Sequence, residues 1–288
     1  MAKLGIRRAG AVVVAVAAGV AALADPSAAK PARAAGSGSV GYDISYPQCG
    51  GPFPQSPAFG VVGVNDGVAY SRNPCLGAGD GPSELAWAEG AGNHAPAFYA
   101  NTADPGAVYS SHWPVGQASP RVCTVDAPDS AACSYDYGWN AARDSFTDAV
   151  DAEVQLHGSG FDAAGAAAAA RWWLDVETAN SWETLEPAYG QTPTARENDT
   201  QALLGAVDAL HTQGVATVGV YSTAVQWTQI TGGSTVTGSR FSQDPSWVAG
   251  NRGSKQARGQ CGATGFTGGP VELAQYPQSG FDADIACL

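Results

Sequence analysis

The chain has 288 residues, of which 14 are basic and 26 acidic, for a net charge of −12. A surface this acidic repels phosphate backbones and anionic lipid headgroups, so nucleic acid is not an expected partner. It is compatible with a neutral sugar polymer, and equally with plain solubility in a salty exterior.

Residues 1–35 read as an export signal. Lys3, Arg7 and Arg8 give it a basic start, and an uncharged apolar run follows over 9–24. Small-residue cleavage patterns stand at Ala22-Leu23-Ala24 and Ala32-Arg33-Ala34. The run is short of the about 20 apolar residues a membrane span needs. The Arg7-Arg8 pair leaves a twin-arginine route open beside the general one. The expected mature domain, 36–288, holds nine basic and 25 acidic residues, a net charge of −16. It is expected to be secreted, extracellular or wall-associated, free of the membrane and monomeric.

All six cysteines, Cys49, Cys75, Cys123, Cys133, Cys261 and Cys287, follow the signal. An even number in an exported protein implies three disulfides. Pairing in chain order closes three modest loops and is the expectation. There is no CxxC pair, and the histidines His94, His112, His157 and His211 are scattered, so the zinc reading of the cysteines is weak.

In chain order, 40–45 is a short strand, and 59–65, apolar nearly throughout, is a strand buried on both faces. A helix over 83–92 begins at Ser83 as its cap. A strand follows at 95–100, then a long helix over 135–155 on which Phe146, Val150 and Val154 recur every four residues. The alanine run 163–170 is helical and leads into the strand 171–177. Residues 197–213 form a helix with Leu203, Val207 and Leu210 on one face and Gly214 as its stop. The Asn198-Asp199-Thr200 triplet fits a glycosylation site but falls at this helix start. Strands at 216–221, 246–249 and 271–276 complete seven. An eighth is sought in 251–268.

Strand-helix alternation of this kind predicts a parallel sheet with helices outside it. With no glycine-rich phosphate turn after the first strand, a single irregular α/β barrel of the (β/α)8, TIM-like class is the expected fold. Active sites of such barrels lie at the C-terminal ends of the strands, which directs attention to acids there.

Asp175 and Glu177 stand two apart in Trp172-Trp173-Leu174-Asp175-Val176-Glu177, so both project from one face of the strand. Close carboxylates push their proton affinities apart, leaving one protonated as a general acid and one ionised, as glycosidic cleavage requires. The plain alternative is a pair of surface acids. Asp43 ends the first strand, where an Asp is also a common turn residue. Asp282 and Asp284 follow the last predicted strand, and converge with Asp43 if the barrel closes; otherwise they belong to a solvated tail beside Cys287. Tyr46, Trp172, Trp173, Trp182, Tyr221, Trp247 and Tyr276 cluster near these acids, either as sugar-stacking faces or as core, with Trp173 the clearest core candidate. His94 and His112 are lone candidate bases, and Ser45 and Ser222 lack a nucleophile elbow.

Four segments resemble the glycoside hydrolase family 25 lysozymes, in that family's order and across residues 40–288. They are Gly41-Tyr42-Asp43-Ile44-Ser45 with Gln48, Trp173-Leu174-Asp175-Val176-Glu177, Gly219-Val220-Tyr221-Ser222 with Trp227, and Gln275-Tyr276 followed by Asp282 and Asp284. The resemblance implies that Glu177 is the general acid, that Asp175 orients or stabilises the reacting sugar, and that Asp43 completes the acidic floor. It implies Asp284, or else Asp282, as a fourth acid, with Tyr221, Trp247, Gln275 and Tyr276 lining sugar subsites, and no metal or organic cofactor. The chain departs from the family at Val64-Asn65-Asp66-Gly67, where a basic turn is usual, at Tyr99-Ala100-Asn101, and in an added segment over 102–133. The function expected is an exported glycoside hydrolase acting on peptidoglycan or a related N-acetylated polysaccharide. A glycan-binding barrel without turnover and a structural envelope protein are the alternatives.

Overall fold

The computed structural model describes residues 36–79, 81–92, 94–190, 192–233 and 240–287; the expected signal lies outside the described residues. Eight strands form one closed barrel in sequence order. They are β1 (Val40–Ile44), β2 (Gly60–Gly63), β3 (Ala97–Asn101), β4 (Arg171–Asp175), β5 (Val218–Ser222), β6 (Ser246–Val248), β7 (Val271–Gln278) and β8 (Phe281–Ala286). Strands β1 to β7 run parallel to their neighbours, whereas β8 is antiparallel to both β7 and β1.

The eighth strand is therefore not in 251–268, where a helix lies instead (Ser254–Gln260). It returns directly from β7 through Ser279 and Gly280, both at positive φ. A two-residue connection with both residues left-handed matches the twist of a hairpin. The Ser-Gly pair between alternating residues is a readable hairpin signal, and it removes the solvated-tail reading of Asp282 and Asp284.

The helices are α1 (Glu84–Glu89), α2 (Ala131–His157), α3 (Ala163–Ala169), α4 (Pro193–Thr212), α5 (Ala224–Thr231) and α6 (Ser254–Gln260). Ser83 caps α1 by accepting from Ala86 N, as expected. Helix α4 starts a turn earlier than predicted because Thr192 caps it and Pro193 fits its first turn. Leu203, Val207 and Leu210 are buried, and Gly214 takes φ +93° just past the end. On α2, Phe146 is buried and Val150 is packed against the core, but Val154 is exposed. A four-residue step overshoots the 3.6-residue turn, so a row of such steps drifts off the buried face. Helices α2 and α4 pack through small residues. A Cβ at Gly138 would collide with the Ala202 carbonyl, and one at Gly205 with the Tyr135 carbonyl.

Alternation along β4 shows how the core is split. Trp172 and Leu174 face outward into the layer shared with the helices, while Trp173 faces the barrel interior with Val61, Trp247 and Leu273. Gly219 on the neighbouring strand is where the Trp173 ring lies, so a Cβ there would overlap it. Three disulfides join Cys49 to Cys75, Cys123 to Cys133 and Cys261 to Cys287, the chain-order pairing. Among the described residues, no helix is long and apolar enough to cross a membrane.

Candidate active site

Inward-facing positions at the C-terminal ends of the parallel strands converge on one mouth. Asp43 and Asp282 are directly opposed in the β1–β8 register, and Gly41 is opposed to Asp284. Cross-strand partners share a face, so Asp43, Asp282 and Asp284 all face the interior. A continuous hydrogen-bonded path runs across five strands. The Tyr221 hydroxyl donates to Gln275 Oε1 (2.9 Å), and Gln275 Nε2 donates to Asp43 Oδ2 (3.1 Å). Asp284 hydrogen-bonds Asp43, and the Trp247 indole donates to Asp284 Oδ1 (2.7 Å).

This path sets the protonation of the floor. Burial and the nearby Asp282 charge push Asp43 up to about 7, against the lowering effect of Gln275 and Asp284. Asp284 is fully buried, and burial with the Asp43 charge lifts it well above the usual carboxylate range. Asp284 thus carries the proton of the pair and donates to Asp43. The phenol of Tyr221 is held protonated by burial and by the surrounding charges of Glu177, Asp43, Asp175 and Asp282.

Asp175 is 6% exposed. Its Oδ2 accepts from Asn101 Nδ2 at 2.6 Å, and its Oδ1 has no hydrogen-bond partner. Burial first, then Glu177 and Asp43, hold it well above the ordinary range. Its carbonyl accepts from the Thr102 hydroxyl (2.6 Å) and Asn180 Nδ2 (3.1 Å), which fixes the end of β4. Glu177 is half-buried beyond the strand end. Burial raises its proton affinity, a hydrogen bond with Gln226 lowers it, and the Asp282 charge raises it again. Trp182 donates to the Glu177 carbonyl at 2.8 Å and so anchors the loop that carries the acid. Among the described residues, no Lys or Arg forms an ion pair with any of these five acids.

Not every expected residue faces the mouth. Tyr276 is next to inward-facing Gln275, so it points outward, where it packs with Ala257, Ala274 and Ile285 and donates to Gln278. Trp247 is buried beneath the acids and holds Asp284 in place. Trp172, Trp173 and Trp182 are core, whereas Tyr46 is 43% exposed. Of the two candidate bases, His112 stacks on Tyr70 at 4.3 Å in the wall of a side recess, and His94 lines a cavity at the opposite end of the barrel. Asn198 is buried and bonded to Asp129 and Glu183, inside α4 rather than at its start as expected, because the helix begins at Pro193.

Sequence reading missed Asn101, Asn180 and Gln226. Only Asn101 had a local signal, as the residue in register with Asp175 at the end of the neighbouring strand. Thr102 and Asn180 also line the recess, of about 220 Å³, together with His112, Tyr109 and Tyr137. The segment over 102–133 thus adds a wall beside Asp175. A larger cavity of about 300 Å³ opens at the N-terminal end of the barrel, between Phe59, Trp173, Arg171 and Glu272. It is mostly apolar and none of the five mouth acids lines it.

No family model matches the chain, and no curated protein matches it. Among solved structures, it is similar to a muramidase from Acremonium alcalophilum, at 17% identity over 86% of this chain and 92% of that one, with a TM-score of 0.46. A family GH25 lysozyme from Aspergillus fumigatus gives 13% over 86% and 93%, TM-score 0.47. A bacterial lysozyme from Streptomyces coelicolor gives 15% over 87% and 93%, TM-score 0.43.

Proposed function

We propose that the chain is an exported glycoside hydrolase that cleaves peptidoglycan or a related N-acetylated polysaccharide, with Glu177 as its general acid. The observation that carries this reading is the meeting of Asp43, Asp175, Glu177 and Asp284 at the strand ends of one barrel, each with a raised proton affinity. Cleavage of a glycosidic bond needs one carboxyl that still holds its proton near neutral pH and others that stabilise positive charge at the sugar carbon. Glu177 combines raised affinity with access to solvent, which suits it to protonate the leaving oxygen. Asp175 offers one unpartnered oxygen beside it and is suited to orient a substituent such as an acetamido group. The Asp43–Asp284 pair forms the floor. The recess beside Asn180 and Thr102 supports a polymer with bulky polar substituents.

The test is release of reducing sugar from purified bacterial walls and from chitin oligomers, with Glu177→Gln in parallel. Release that disappears in the variant is expected. Equal background from both folded proteins would overturn the hydrolase reading, and retained glycan affinity in both would then point to a binding barrel.

A further inference from the structure

At the end of the barrel remote from the acids, α1 and α2 bring three potential ligands together. Glu153 and His157 are one turn apart on α2 and project from one face, since residues at i and i+4 are neighbours on a helix. Glu89, the last residue of α1, faces them. His157 Nε2 hydrogen-bonds Glu89 Oε1 at 2.8 Å and stands 3.5 Å from Glu153 Oε2. One donor atom from each of the three lies within 4.8 Å of the others.

Two donors bound at about 2.0–2.1 Å to a tetrahedral ion stand about 3.3 Å apart, and the two measured separations bracket that spacing. Glu153 supplies a second, independent sign. It is 2% exposed, and its Oε2, which points into the cluster, accepts from no N–H or hydroxyl donor; its partners are the Glu89 carboxyl and the His157 ring at 3.5 Å. Among the described residues, the ion pairs recorded for Glu89 and Glu153 both run to His157. A buried carboxylate without a full partner is costly, and a cation is the ligand that relieves it.

We propose that Glu89, Glu153 and His157 form a binding site for a divalent transition-metal ion of the zinc class, which staples α1 to α2. An imidazole nitrogen beside two carboxylate oxygens selects such an ion over calcium, which takes six to eight oxygens. Three protein donors leave one position for solvent, and the partly exposed His157 lies on the entry side. The site was invisible to a search for paired cysteines and histidines, because two of its ligands are glutamates and one comes from a different helix.

The test uses the purified protein, freed of metal by chelator and dialysis, then titrated with ZnCl2 by calorimetry and with CoCl2 by visible absorption. One equivalent of Zn²⁺ is expected to bind, and Co²⁺ to give the absorption of a low-coordinate site. Zn²⁺ is expected to raise the melting temperature. The near-isosteric Glu89→Gln and the surface change His157→Ala should weaken Zn²⁺ by on the order of 100-fold and abolish the thermal shift, because lost ligands cost at least as much as lost outer partners. Both variants should keep wall-digesting activity, so failure here is distinguishable from failure of the proposed function; without metal, His157→Ala should melt somewhat lower, because its ring bonds Glu89 and packs on Phe161. No binding in the micromolar range, binding unchanged in both variants, or preference for Ca²⁺ would overturn the proposal.

Discussion

The barrel holds two clusters of acids with raised proton affinity, and they are built to opposite ends. One is the mouth, with Asp43, Asp175, Glu177, Asp282 and Asp284. The other lies where the segments after β3 and β4 meet α4 and brings together Asp104, Glu183 and Asp199, each no more than 2% exposed. Burial is the first cause of the raised affinity in both, pushing Asp199 up to about 8 and Glu183 up to about 7. The second cluster, however, is closed to solvent: Asp199 and one oxygen of Glu183 are bonded to the protein, while both Asp104 oxygens and Glu183 Oε1 are buried without a hydrogen-bond partner. Asp199 accepts from the backbone N–H of Glu183 (3.0 Å), from that of Thr184 (3.4 Å) and from the Thr184 hydroxyl (2.8 Å), and Glu183 accepts from Asn198 (2.9 Å). These bonds tie the loop after β4 to the first turns of α4. A raised proton affinity therefore marks desolvation, and only access separates a group that can act on a ligand from one that organises the fold.

Substitutions can test that division. The largest expected effect is at Glu177. Glu177→Gln should lower glycan cleavage by roughly 10²- to 10⁴-fold, the usual contribution of a positioned acid, with an unchanged melting temperature. Asp199→Ala should do the reverse. It strands three donors and should cost about 3 kcal/mol, or roughly 10 °C in melting temperature, while the specific activity of the folded fraction holds. Loss of activity without loss of stability at Asp199 would erase the distinction between the clusters.

The pH dependence of stability sharpens the comparison further. Asp199, Glu183 and Glu84, the last also pushed up to about 7 by burial, bind protons more tightly folded than unfolded. The folded state thus holds more protons between about 4 and 8, so stability is greatest on the acid side and falls as pH rises through that window. Thermal melts at pH 5 and pH 8 should differ by roughly 3 °C or more in that direction. The smallest effect is expected at Gln226, whose hydrogen bond lowers the proton affinity of Glu177. Gln226→Ala should move the alkaline limb of the pH–activity profile upward, with less than about tenfold change at the optimum.

The mouth was largely legible in the sequence and the second cluster was not. Asp43, Asp175 and Glu177 announce themselves because each lies at or near the end of a short apolar run; strand periodicity fixes the face of the first two, whereas Glu177 lies past the end of β4, which is two residues shorter than predicted. Tyr276 was misplaced as a subsite residue although the same periodicity, anchored on Gln275, turns it outward. The eighth strand was sought upstream because its sequence, Phe281–Ala286, carries two acids, and these lie on the inner face of the barrel, Asp284 buried and Asp282 exposed at the rim. Asp104, Glu183 and Asp199 belong to three separate segments, and only the packing of α4 against the loop after β4 unites them. Asn101, Asn180 and Gln226 are likewise ordinary polar residues until the fold sets them against a carboxylate.

The return of β8 alongside β1 has one more consequence. Pairing Val40 with Ile285 closes a ring across nearly the whole described chain, and such a contact is among the slowest to form. Asp43 and Asp284 exchange their hydrogen bond only across that seam. A partly assembled chain, with β1 to β6 already side by side, would still have an incomplete floor. Recovery of activity during refolding would thus serve as a clock for ring closure, running behind any optical signal from the helices.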